Sequence, residues 1–311
     1  MSYKAPGAGR KLPSARIRAP YGFLAPAVVL FVAFLAAPIV YTAYLSLRRV
    51  KVSGLGLGPG SRTEIWAGLD NYGRSLTSPD FLDSVGRVAG YGMVVVPTML
   101  GLALLFALLL DAGRARAGGF ARISIFLPYA VPAVVASLMW GFLYLPRISP
   151  VADALGWVGL PMPDLLGGPA VLYAVANIAV WGGTGFNMIV LYTALRAVPT
   201  ELYESARMDG AGEVQIAMRI KTPILRPALV MTFVFSLIAT LQVFAEPMTL
   251  RPLSNTISST WTPLMTVYRD AFTRNDIHSA AATSVVIAVV TFALSFGFLK
   301  LVGSRAFSQE R

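Results

Sequence analysis

The sequence predicts an all-α integral membrane protein with six transmembrane helices, and three observations predict it. Apolar residues make up 56% of the 311-residue chain and charged residues only 13%, where a soluble domain carries roughly 25% charged. Six stretches reach the roughly 20 apolar residues that a spanning helix needs, at about 21–47, 88–110, 123–145, 170–195, 227–245 and 279–299. None of the six contains Asp, Glu, Lys, Arg or His. The net charge of +11 could serve nucleic acid, but its cations lie scattered between apolar runs, so lipid is the partner that explains them.

Each element then follows in order. Residues 1–20 carry Lys4, Arg10, Lys11, Arg16 and Arg18 and read as a cytosolic basic tail ahead of a transmembrane domain over 21–311. The first apolar run is too long for a signal-peptide core and has no clear cleavage site, so it is expected to stay as an uncleaved span. With the N-terminus inside, the connections on that side hold 16 Lys and Arg against 10 outside, and the sides net +10 and +1. This is the positive-inside bias, and it places both termini in the cytosol; Arg48, Arg49 and Lys51 run locally against it. Pro26, Pro38, Pro97, Pro128 and Pro132 fall inside spans, which membrane helices tolerate where neighbours satisfy the freed carbonyls. The outer connections 48–87, 146–169 and 246–278 hold Trp66, Trp157 and Trp261 as interfacial anchors or lids, and Gly54–Gly60 reads as a flexible turn.

The inner connection 196–226 is the polar exception. Thr200 after Pro199 is the expected N-cap of a short helix, with Glu201 and Glu204 favourably placed at its positive end and Arg207 later. Asp209-Gly210 should break that helix with a residue that tolerates positive φ, and Val214 to Lys221 should form a second one. Ser205, Ala206, Gly210, Ala211 and Gly212 present little side chain. That suits insertion into a partner's cleft, and it equally suits a tight interfacial loop.

A family resemblance favours the first. Glu204-Ser205-Ala206, three residues, Gly210, nine residues, then Ile220-Lys221-Thr222-Pro223 resembles the EAA motif of bacterial ABC-importer permeases. Ser205 replaces an Ala and Thr222 a Leu of the family form. Asp209-Gly210-Ala211 resembles the carbohydrate-importer branch. "GLDNY" (68–72), "LPYAVPAVVASLMW" (127–140), "WGGTGFNMIVLYTALRAVP" (181–199) and "AFTRNDIHSAAAT" (271–283) are similar to maltose- and glycerol-phosphate-type permease subunits, first subunit of the pair. One departure stands out: "EPMTLRPLSNTISSTWTP" replaces the family's Thr-x-Gly-Gly-Pro turn after the fifth span, which bears on the outer loop and its contact with a binding protein.

The resemblance implies a type I ABC-importer permease fold in the bacterial cytoplasmic membrane. It implies a second, non-identical permease subunit, a cytosolic ATPase dimer that binds ATP and Mg, and an extracytoplasmic solute-binding protein. Glu204, Ser205, Ala206, Arg207, Asp209, Gly210 and Ala211 would be the ATPase-coupling residues. It also places Tyr129, Ala133, Ala179, Gly182 and Gly183 at sugar-contacting positions, although Ala133 and Ala179 lack the polar groups found there.

From the residues themselves, Asn187 and Gln242 are candidates for the substrate path. An amide in hydrocarbon must be paired or line a wet path, so an interhelical hydrogen bond is the alternative. Glu246 sits where an outer gate or a solvated helix end would be. His278, the single histidine, reads as a solvated loop residue. There is no cysteine for a thiolate site and no Gly-x-x-x-x-Gly-Lys-Ser/Thr phosphate loop, so the chain is expected to hold no cofactor or metal and to catalyse nothing itself. A secondary transporter or channel is the alternative function; proton-coupled carriers place carboxylates or histidines within spans, and these spans have none.

Overall fold

The computed structural model describes residues 14–52, 61–112 and 118–306; most of the basic tail and the Gly54–Gly60 turn lie outside them. Helix α1 (Ser14–Phe31) continues through a π turn at Val32–Ala36 into α2 (Ala37–Ser46). Pro38 has no N–H to return to the preceding turn, and the wider turn just before it absorbs that loss. An antiparallel hairpin follows, β1 (Arg48–Val52) on β2 (Arg62–Trp66), with Arg48 opposite Trp66 and Val52 opposite Arg62. This small hairpin is the one sheet among the described residues, and the helical membrane fold expected from the sequence stands around it.

After the short α3 (Asp70–Thr77), α4 (Pro79–Asp111) starts nine residues before the predicted second span, because Ser78 and Pro79 make a favourable helix start. The third span, expected as one helix over 123–145, is broken: α5 (Gly118–Phe126), a 3-10 turn at Leu127–Ala130, and α6 (Ala133–Tyr144), bent by 98°. Val131 is extended, φ −79° and ψ 126°, as the residue before a proline prefers to be, and neither Pro128 nor Pro132 can donate to the ladder.

Next come α7 (Pro150–Trp157), α8 (Ala170–Arg196), α9 (Glu201–Met208), α10 (Glu213–Ile216), a π turn at Ala217–Lys221 and α11 (Thr222–Ile224). Helix α12 (Arg226–Leu241) stops at Gln242, and α13 (Ala245–Leu250) resumes after Phe244 at φ −147° and ψ −51°. The ring of Pro247 would clash with the carbonyl four residues back, so the predicted span 227–245 cannot run straight through. The chain ends with α14 (Pro263–Tyr268) and α15 (Ile277–Ala306). Five helical segments are long and apolar enough to span a bilayer, and the bent α5–α6 pair makes a sixth.

Helix α8 packs along α4 through two apolar clusters. Ala103 and Ala107 meet Met188, Leu191 and Leu195 at one level; Tyr91, Val95, Val175, Leu250 and Trp261 meet at the other. Small residues on α4 let the backbones approach, which is how membrane helices gain packing without a hydrophobic drive between them. Trp261 is therefore core, 3% exposed, whereas Trp66 and Trp157 are exposed. The loop that departs from the family turn folds into α13 and α14, with Ser254 donating to the Leu166 carbonyl and Thr262 Oγ1 accepting from Met265 N–H at 3.2 Å.

Two resembling motifs lock the outer connection to the last helix. Asn71 of "GLDNY" donates to the carbonyls of Ser46 and Arg48, both at 2.7 Å, satisfying the end of α2. Asp276 of "TRNDIH" caps α15 by accepting from Ser279 N–H at 3.0 Å. His278 is corrected from solvated to buried, 3% exposed, with Nδ1 3.1 Å from the Leu45 carbonyl.

Candidate functional site

The loop 196–226 forms a helix, a reversal and a second helix. In α9, Glu201 and Glu204 stand in the first turn and Arg207 in the last, matching the helix dipole. Thr200 does not cap it as expected. Its backbone is helical, φ −66° and ψ −25°, and its side chain makes no cap bond; the Thr200 carbonyl instead accepts from Tyr203 and Glu204 N–H. At the other end Gly210 has φ +84°. Gly210 N–H reaches the Arg207 carbonyl at 3.0 Å and Ala211 N–H the Ala206 carbonyl at 2.9 Å, a Schellman ending that needs a residue free to adopt positive φ.

Glu204, Ser205, Arg207, Asp209 and Gly210 are exposed around this turn, with Ala206 and Ala211 half-buried. Arg207 Nε pairs with Glu213 Oε1 at 3.1 Å across the reversal. Leu202, Met208, Val214 and Met218 are exposed beside it, so the turn offers both charge and apolar surface.

Beneath the turn lies a group that spacing does not reveal. Lys221 is paired with Asp111, the last residue of α4, with side-chain exposures of 4% and 6%. The Lys221 ammonium also lies 4.7 Å from the centroid of the Tyr203 ring in α9, within cation–π range. Burial first, and then the Asp111 charge, push the Tyr203 phenol above its usual range, so it stays un-ionised. Its hydroxyl has no protein partner among the described residues. Lys221 therefore joins both halves of the loop to the second span.

All eight residues named for the substrate path line one cavity of 860 Å³: Tyr129, Ala133, Ala179, Gly182, Gly183, Asn187, Gln242 and Glu246. Its walls come from α4, the α5–α6 break, α8 and the α12–α13 break. Both interruptions of helix thus face open space, where irregular backbone at membrane depth is tolerated. Tyr129 stacks on Phe186 with centroids 4.9 Å apart. The alternative for Asn187, an interhelical hydrogen bond, is not what forms: its amide nitrogen donates to the Gly183 carbonyl of its own helix at 2.9 Å, and its oxygen has no protein partner among the described residues. Gln242 lies at the break after α12 rather than mid-helix. Tyr91, Ser236 and Thr240 also line the cavity. They were missed because single hydroxyls within apolar runs carry no sequence signal.

A helical bundle enclosing a largely apolar cavity with a few polar groups, and carrying an exposed charged helix-turn, fits a membrane permease. Residues 99–307 match the family described as the binding-protein-dependent transport system inner membrane component, and the chain belongs to it.

The chain is 29% identical to the diacetylchitobiose uptake system permease protein NgcF of Streptomyces coelicolor, over 94% of this chain and 86% of that one. It is 28% identical to the sn-glycerol-3-phosphate transport system permease protein UgpA of Agrobacterium fabrum, over 92% and 95%. It is 26% identical to the arabinooligosaccharides transport system permease protein AraP of Halalkalibacterium halodurans, over 92% and 88%. The fold is shared with a bacterial alginate ABC transporter solved with an alginate-loaded periplasmic protein, at a TM-score of 0.80 and 20% identity over 94% of this chain and 96% of that one. Family membership replaces the secondary-transporter and channel alternative.

Proposed function

We propose that this chain is a non-catalytic permease subunit of an ATP-driven importer for a sugar, oligosaccharide or related polyol in a bacterial cytoplasmic membrane. The relatives named above are permeases of carbohydrate or polyol-phosphate systems. In this reading a second, non-identical permease completes the path, an external binding protein delivers solute, and an ATPase dimer in the cytosol binds ATP and Mg. Glu204 to Ala211 seat in that ATPase, and ATP-driven closure moves α9, which acts on α4 through Lys221 and Asp111. The eight cavity residues line the substrate path.

The observation that carries the reading is the projecting α9 turn, ending at Gly210 with φ +84°. It is tested in proteoliposomes holding this chain with its partner permease, ATPase and binding protein. ATP-dependent uptake of saccharide is expected. Gly210→Val should lose it, since an L side chain at that φ is strained by about 1–3 kcal/mol and crowds the docking face; Glu204→Lys should lose it through charge reversal. Both variants should insert at wild-type abundance, because the spans are untouched. Normal transport by both would sink the coupling assignment, and uptake without ATP would sink the importer reading.

A further inference from the structure

We infer that the cavity admits neutral and cationic saccharides and rejects anionic ones, with Glu246 as the specificity-determining residue. The inference rests on the carbohydrate-importer reading and narrows its substrate class.

Among the described residues lining the cavity, Glu246 is the sole acidic side chain, and no Lys, Arg or His accompanies it. It makes no ion pair among the described residues. The other polar groups of the lining are uncharged: the hydroxyls of Tyr91, Tyr129, Ser236 and Thr240 and the amides of Asn187 and Gln242 can each donate or accept. Asn187 spends its amide nitrogen on Gly183 and leaves its oxygen open, and the Ser236 hydroxyl has no protein partner among the described residues. A neutral solute rich in hydroxyls or N-acetyl groups can pair with these groups in either sense, and an ammonium group can pair with the carboxylate.

A phosphate or uronate brings a negative charge toward the carboxylate with no cation in the described lining to balance it, inside a low-dielectric wall where repulsion is far stronger than in water. The wrong solute is then penalised more than the right one is favoured. A competing account makes Glu246 a helix-end residue only, because it stands in the first turn of α13, where the dipole favours a carboxylate. The two accounts differ in what a charge-neutral replacement does to solute choice.

The external binding protein filters solutes before they reach the cavity, so it is left out of the test. The assembled importer in lipid nanodiscs is examined by saturation-transfer NMR, which detects weak binding. The probes are diacetylchitobiose (neutral), chitobiose with free amines (cationic), and sn-glycerol 3-phosphate and a mannuronate disaccharide (both anionic). Anionic probes should bind the wild type at least about tenfold more weakly than the neutral one, the scale expected of one unscreened like-charge contact. Glu246→Gln should raise the anionic-to-neutral ratio several-fold and lower the cationic-to-neutral ratio. Each ratio is read within one sample, so loss of folded protein cannot imitate it. Anionic binding equal to neutral binding in the wild type overturns the inference, as do ratios unchanged by Glu246→Gln. If no saccharide of any charge binds and ATP-driven saccharide uptake is absent as well, the carbohydrate reading itself has failed.

Discussion

At Lys221 an ammonium group is buried against the Asp111 carboxylate and under the Tyr203 ring. Two charges this far from water gain from each other roughly what desolvation takes away, so the pair adds little net stability. Removing one partner is another matter, because it strands the other charge. Asp111→Asn or Lys221→Met alone should therefore destabilise the assembled subunit by about 3–5 kcal/mol, seen as a lower unfolding temperature in detergent. The double replacement Asp111→Leu with Lys221→Met should recover most of that loss. Tyr203→Phe should be close to neutral, since the hydroxyl it removes has no protein partner among the described residues, whereas Tyr203→Ala opens the contact. Equal losses in the single and double variants would show that the pair is not the coupled unit its geometry describes.

At the scale of elements, α8 meets the broken third span at Gly185. A Cβ there would collide with the Ile125 carbonyl oxygen and come within 2.7 Å of Phe126 Cα. Both are backbone atoms that cannot rotate away, so Gly185→Ala should force α5 off α8 at a cost of about 1–3 kcal/mol. Gly182, one turn earlier on α8, has nothing within 4 Å of its virtual Cβ, so Gly182→Ala should leave the unfolding temperature unchanged. If the two variants behave alike, the close approach of α5 to α8 is not a packing constraint. The break that makes this approach possible was legible in principle, since Val131-Pro132 disfavours helix just before the proline, but hydropathy alone reads straight through it. The α9 turn was legible because Gly210 and its spacing are local features. Lys221 and Asp111 are 110 residues apart in sequence, and neither carries a local sign of the other. His278 and Trp261 sit in polar-looking loops, and only the fold shows that the ends of α2 and the core around Tyr91 close over them.

At the scale of the whole molecule, the described surface is not that of a finished transporter. The apolar window of the first span, within Phe23–Ser46, has no buried residue, and α2 packs chiefly on α15. Lipid satisfies such a face as well as protein does, so exposure by itself names no partner. The cavity carries the stronger argument. A path closed by a second copy of this chain would hold two Glu246 carboxylates and, among the described lining residues, no cation from either copy. Two like charges facing one passage repel and are expensive at membrane depth. A different permease can complete the wall without duplicating the charge, and it can bring its own coupling turn to the second seat of an ATPase dimer. Purification through a tag on this chain, in mild detergent or lipid nanodiscs, should therefore yield one copy of it, one copy of a different permease and two ATPase subunits by native mass spectrometry. An active importer containing two copies of this chain and no other permease would overturn that composition, and with it the claim that a single Glu246 sets the charge of the path.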